Sequence, residues 1–332
     1  MYITKAPHMN LVERLRWSFV LPFLLNLIFP SLGGAWNDKT HMAIAYIAYR
    51  NLNRHAKDRI DEVLVLHPLY KQWTKDAKLG RAGLYAFMHA AIWPDCIQNS
   101  AKCEGYVADG TEDGIVPPVS QEAWQNVGYS DRFMHKYWHF IQQPYAADNQ
   151  VTKEAQKPNI ETQLQLLTEA LNSNADDVLK SYDLAWVENL VGELHQPLNC
   201  ISRFSAQHPA GDRNGREVKL CKAPCDNNLH DYWDNLLGTQ DDFDSGMKEG
   251  KSLVGIQNTT WWFDSLDIHK WVNDSIEVAK NTVYSPAITA ADSSGNPTEP
   301  DETYRKVAVH TAVNQVVLAG HRLADLLNKN FK

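Results

Sequence analysis

Ala175–Leu198 reads ADDVLKSYDLAWVENLVGELHQPL, and its apolar residues recur at helical rather than alternating spacing. The same pattern runs over Lys39–Leu52, where Ala43, Ile44, Ile47 and Ala48 follow a polar Asn37-Asp38 start. It returns over Lys57–Leu66, Gly83–Ile92, Asn159–Leu171, Asn228–Leu237, Trp261–Ala279 and Tyr304–Leu327. Strand-like alternation is scarce, and Glu217–Leu220 is the best candidate, for a minor hairpin. Gly105 to Gly128 and Ser285 to Thr303, rich in Gly, Pro and polar residues, read as long surface loops. The expected fold class is all-α, a single multi-helix domain over 36–332 with long surface loops and at most a minor hairpin.

The first 35 residues read differently. Lys5, Arg14 and Arg16 precede an apolar run from Trp17 to Leu32, and Gly33-Gly34-Ala35 puts small residues where a signal peptidase reads. A membrane anchor is the alternative, but Pro22, Asn26 and Pro30 interrupt a run short of the ~20 residues a spanning helix needs. Residues 1–35 are expected to be a cleaved signal peptide, giving a secreted or periplasmic monomer with no stable membrane association. Cleavage after Ala35 would give Trp36 a free amine beside its own carbonyl oxygen, a chelate suited to a divalent metal.

The 332-residue chain carries a formal charge of −8, and subtracting the leader's +2 leaves −10 over the remaining 297 residues. An acidic chain makes a poor generic clamp for nucleic-acid backbones, although bound zinc would add local positive charge. Five cysteines fit an oxidising compartment, with Cys96–Cys103 and Cys221–Cys225 as plausible local disulfides and Cys200 left over. A four-thiolate zinc site is the competing reading, weakened by the absence of tight Cys-x-x-Cys spacing.

Metal-ligand chemistry is scattered along the helices. Trp36 lies five residues before His41; Asp95 follows Ile-Trp-Pro, and His139 lies in Tyr-Trp-His-Phe. Asn189 with Glu193, and His230 with Asp234, fall at i, i+4 and so share a helix face. Each pair alone is more often structural, and the combination points to imidazoles and carboxylates gathered around ions. His195 reads as a residue that orients a ligand helix; His208, His67, His89 and His55 read as ordinary.

With these blocks the chain resembles the secreted tri-zinc nucleases of the S1/P1 family, relatives of the bacterial zinc phospholipases C. The resemblance covers the whole of 36–332, through the Trp start, His-Gln-Pro-Leu, Asn-Leu-His-x-x-Trp-Asp, Arg203-Phe204-Ser205 to Gly211-Asp212-Arg213, and Ala319-Gly320-His321-Arg322-Leu323. It implies a zinc phosphodiesterase binding two or three ions. Trp36 and His41 would hold one, with Glu193 bridging to a second held by Asp95, His139 and position 189. Position 199, His230 and Asp234 would hold the third. Asp95 and Glu193 would be the catalytic carboxylates, and Phe140 matches a base-stacking aromatic whose alternative role is core packing.

The departures from the family cluster in the site. Asn189 and Asn199 stand where it has His, Glu193 where it has Asp, Gln98 where it has Lys or Arg, and Gln142 where Asp contacts the base. The usual Gly-Gly-Asn is Asn214-Gly215-Arg216. An amide oxygen is a weak zinc ligand, so the third site suffers most, and Arg216 could supply positive charge lost with Gln98. The reading is an endonuclease acting on single-stranded DNA or RNA, with consequent nucleic-acid breakdown. The alternatives are a catalytically impaired metal-binding relative serving as a secreted binding protein, and a phospholipase C-type phosphodiesterase.

Overall fold

Asn, Asp and Ser side chains set nine of the helix starts. In the computed structural model, which describes residues 36–99, 102–120, 128–146, 150–222, 227–256 and 266–331, α1 (Asp38–Asn51) begins where Asn37 accepts the Thr40 N–H. Asn53 does the same for α2 (Arg54–Leu64), Asn159 for α6 (Ile160–Leu171), and Asp176 for α7 (Asp177–Leu194). Asn228, Asp242, Asp267, Ser285 and Asp301 cap α8 (Leu229–Asp234), α9 (Phe243–Leu253), α10 (Ile268–Val278), α11 (Pro286–Ser293) and α12 (Glu302–Asn330). Each such cap is worth about 1 kcal/mol. Three helices start without a side-chain cap: α3 (Tyr70–Trp73), α4 (Ala82–Ala90) and α5 (Trp93–Ile97).

The fold is all-α, and the described residues belong to one compact unit. Its centre is formed by two helices buried on nearly every side. In α1 every residue from Lys39 to Ala48 is buried; in α7 every residue from Ser181 to Leu194 is. A helix with no solvent face must be surrounded, and α1 packs most extensively on α9 and α12. Gly250 on α9 permits this approach, because a Cβ there would lie 2.6 Å from Tyr46 Cβ. Both central helices carry site residues, so burial on nearly every side fixes them.

Three expectations are corrected. The small sheet is not a hairpin at Glu217–Leu220 but a parallel pair, β1 (Gln143–Ala146) and β2 (Ile201–Phe204), with Gln143 opposite Ile201. Glu217–Leu220 contributes only the isolated antiparallel bridge Lys219–Asn228. β2 is buried on both faces, which erases the alternation by which strands are recognised. Ser285 to Thr303 is not all loop, since Ser285 caps α11 and Pro286 occupies its first turn. The third correction concerns Trp261–Ala279: α10 starts at Ile268, a π-helical turn follows at Ala279–Val283, and 261–265 lie outside the described residues. The expected Cys96–Cys103 disulfide is present, which rules out the competing four-thiolate zinc site. Cys221 is also disulfide-bonded, and its expected partner Cys225 lies outside the described residues, as does the leader 1–35. Cys200 is a buried free thiol that donates to the Leu194 carbonyl (3.3 Å). Among the described residues no helix is long and apolar enough to cross a membrane.

His67 shows what burial does to a histidine placed in this core. It stacks on Trp73 (4.0 Å between centroids) and meets the edges of Trp93 and Tyr129. Burial pulls its pKa from 6.5 down to about 3. The folded imidazole therefore stays neutral while the unfolded one takes up a proton. Its contribution is complete above the unfolded value and is lost as pH falls towards the folded one. Denaturant midpoints are expected to drop more steeply between about pH 7 and about pH 5 for the native chain than for His67→Phe, which keeps a ring but cannot titrate. Equal slopes would show that His67 is not the group responsible.

Candidate metal centre

Four short stretches converge at the facing sides of α1, α5 and α7. His41 is the fourth residue of α1, and Asp95 is the third of α5, whose Pro94 fits the first turn where no N–H is needed. Glu193 lies one turn after Asn189 near the end of α7. His139 follows the 3-10 turn Lys136–Trp138, and Asn199 sits in the turn Pro197–Cys200.

Ligand-type atoms of His41, Asp95 and Glu193 all lie within 4.8 Å of one another. His41 Nε2 is 3.5 Å from Asp95 Oδ2 and 3.9 Å from Glu193 Oε2. His41 is fully buried, yet neither ring nitrogen has a hydrogen-bond partner. A buried polar atom left unsatisfied costs about 1–3 kcal/mol, so an imidazole aimed at two carboxylates without bonding either marks a place for a cation. Its other nitrogen has no room for a ligand: a Cβ at Gly192 would lie 2.7 Å from His41 Nδ1. The ring rests on bare α7 backbone and presents Nε2 alone. A divalent ion therefore fits this triad.

Protonation follows the same geometry. Burial, then the charge of His139, holds the His41 pKa at about 3; burial holds His139 at about 4. Burial, then the Glu193 carboxylate, pushes Asp95 well above its ordinary value. Low polarity thus favours the neutral forms of His41, His139 and Asp95, and a bound cation would reverse that preference at Asp95.

Three primary amides surround the carboxylates. Asn189 Nδ2 donates to Asp95 Oδ2 (2.7 Å) and to the Ala91 carbonyl (3.0 Å). Gln98 Nε2 contacts Asp95 Oδ1 (3.3 Å) and His139 Nε2 (2.8 Å). Asn199 Nδ2 donates to Glu193 Oε2 (2.9 Å) and to its carbonyl (3.1 Å). With Gln98 donating to Nε2, His139 carries its proton on Nδ1 and gives it to Glu193 Oε1 at 2.8 Å. His139 thereby orients Glu193, as a donor to a ligating carboxylate would.

His230 and Asp234, one turn apart on α8, form a separate pair with Nε2 and Oδ2 3.5 Å apart. Gln196 links it to the end of α7, donating to Asp234 Oδ1 (2.7 Å). Burial raises Asp234 well above its ordinary value, with Arg216 opposing. Arg216 meets His230 at 2.7 Å rather than standing in Gln98's position. Asn199 turns to Glu193. Phe140 and Gln142 line one shallow cleft with Tyr137 and Asn159. Trp36 is buried directly before the Asn37 cap, its indole nitrogen without a hydrogen-bond partner.

Sequence reading missed Gly192, and it gave no role here to Gln196 or to the carbonyl of Asn214, although Gln196 lies in the His-Gln-Pro-Leu block and Asn214 opens the departure Asn214-Gly215-Arg216. Gly192 directly precedes Glu193, so its proximity to a ligand position was the available signal.

The family model described as S1/P1 Nuclease matches residues 36–332, beginning at Trp36 and covering both the triad and the His230–Asp234 pair. No curated protein matches the chain.

Proposed function

This chain belongs to the S1/P1 nuclease family, and from that premise we propose that it is a secreted, zinc-dependent phosphodiesterase that hydrolyses single-stranded DNA or RNA at the His41–Asp95–Glu193 cluster. The carrying observation is the His41 imidazole, buried with both nitrogens unsatisfied and its Nε2 facing two carboxylates. The family's zinc dependence and the single candidate metal triad among the described residues agree with it. Processing before Trp36, with release of a monomer into the periplasm or medium, is part of the proposal. The Cys96–Cys103 disulfide is compatible with that destination.

Zinc held there would supply Lewis acidity and a water of lowered pKa. The chain's own residues do the rest. Asn189 and Gln98 fix Asp95 from two sides; His139 and Asn199 fix Glu193, leaving little freedom to either carboxylate. Asp95, part-exposed where His41 and Glu193 are buried, marks the side from which a phosphodiester would approach. Phe140 and Gln142, both half-buried, are the aromatic and the amide that this reading assigns to an unpaired base.

Zinc-loaded protein starting at Trp36 is expected to cut single-stranded DNA, and excess chelator is expected to stop it. The second reading, a metal-binding relative without turnover, is favoured by the three amides that already hydrogen-bond the carboxylates. No cleavage with any divalent ion, in protein that retains zinc, would decide for it.

A further inference from the structure

An arginine side chain occupies His230 Nε2, the ring nitrogen that faces Asp234. Nδ1 of His230 is 2.7 Å from the Asn214 carbonyl, which can only accept, so the proton lies on Nδ1. Nε2 therefore carries a lone pair, and it faces Asp234 Oδ2 at 3.5 Å. Burial disfavours an ionised Asp234 this close to a lone pair, in side chains 1% and 6% exposed, and a positive charge beside the pair counters that. Arg216 provides it: Nη2 donates to His230 Nε2 at 2.7 Å, and Nη1 is 3.3 Å from Asp231 Oδ1 on the same helix.

The approach to this position is built by an unusual turn. Arg213, Asn214 and Gly215 all adopt positive φ (53°, 60° and 81°). Asn tolerates that region better than most residues, and here its side chain also donates to the Leu198 (2.7 Å) and Ile201 (3.0 Å) carbonyls. The turn aims the Asn214 carbonyl at His230 and delivers Arg216 onto the opposite ring nitrogen. The remaining position that could serve a metal, Asn199, is turned away to Glu193, and Gln196 occupies Asp234 Oδ1. With Arg216 on His230 Nε2, the donor set does not fit a third ion.

The geometry points to Arg216 as a built-in cation that takes the place of a metal on His230 Nε2, with its charge acting on the neighbouring Asp234. It supplies one permanent positive charge, held by the chain, where a metal site would need a loaded ion. The assignment deepens the reading above but stands apart from turnover, because it is tested by counting ions in protein that need not be active.

Native mass spectrometry of the zinc-saturated protein is expected to show one more ion in Arg216→Ala than in the native chain. That extra ion is expected to vanish again in Arg216→Ala/His230→Ala. An unchanged count in folded Arg216→Ala would overturn the assignment. If that variant does not fold, the native chain decides: the His230 Nε2 nitrogen resonance is expected to stay put through a zinc titration that moves the His41 resonance. A His230 shift characteristic of metal ligation would refute the proposal.

Discussion

Glu193→Gln is expected to lower zinc-dependent cleavage by about a thousandfold while leaving a folded protein. Metal at a reacting phosphoryl group contributes several kcal/mol of transition-state stabilisation, and each 1.4 kcal/mol is a factor of ten. Glu193 is the hub of the cluster: Oε1 accepts from His139 (2.8 Å), while Oε2 accepts from Asn199 (2.9 Å) and lies 3.9 Å from His41 Nε2. A Gln side chain has one acceptor for these two donors, and its amide is a poor zinc ligand. Bound zinc and turnover should therefore fall together, as elemental analysis and a single-strand cleavage assay would register. Cleavage at the native rate would remove Glu193 from the mechanism.

Gly192→Ala, outside the ligand set, should act almost as strongly on metal affinity. The added Cβ would come within 2.7 Å of His41 Nδ1 and 2.9 Å of Cε1, distances at which something must shift. The ring is sealed in the core, so relief comes by displacing Nε2 from its aim at Asp95 and Glu193. Overpacking of this kind costs about 1–3 kcal/mol, offset in part by the ~0.8–1.0 kcal/mol that Ala gains over Gly in a helix. Displacing a group that orients a ligand typically weakens metal binding by about 10–100-fold. Calorimetric zinc titration would measure this, and unchanged affinity would mean that His41 has room to spare or is no ligand.

Legibility in the sequence tracked the physics of each element. α1, α6, α7 and α12 could be read because apolar periodicity ran over several turns behind an Asn or Asp cap. α3 and α5, at four and five residues, are too short to display a period. α11 hid in a Ser- and Pro-rich stretch whose composition outweighed its Ser285-Pro286 start. β1 and β2 carried no signal, since a fully buried strand does not alternate and Pro144 breaks the pattern in the other.

In the site, the residue types at His41, Asp95 and Glu193 were visible as motif members, but what surrounds them was not. Whether an amide offers oxygen or nitrogen depends on its neighbours. Asn189 and Asn199 looked like weak ligands in sequence, and the folded chain turns their nitrogens to Asp95 and Glu193. Arg216, linked in sequence terms to the loss at Gln98, lies on His230 because Arg213, Asn214 and Gly215 are left-handed, a conformation that their motif did not announce. Gly192 matters only through a contact between α1 and α7, which is a tertiary fact.

Everything depends on whether an ion sits where His41 Nε2, Asp95 and Glu193 converge. Anomalous diffraction at the zinc edge, on crystals of the protein starting at Trp36, should reveal a peak there with a Zn–N distance of about 2.0–2.1 Å to His41. A zinc-soaked crystal with no peak at that point, and His41 still unbonded, would refute the metal centre and the reaction assigned to it.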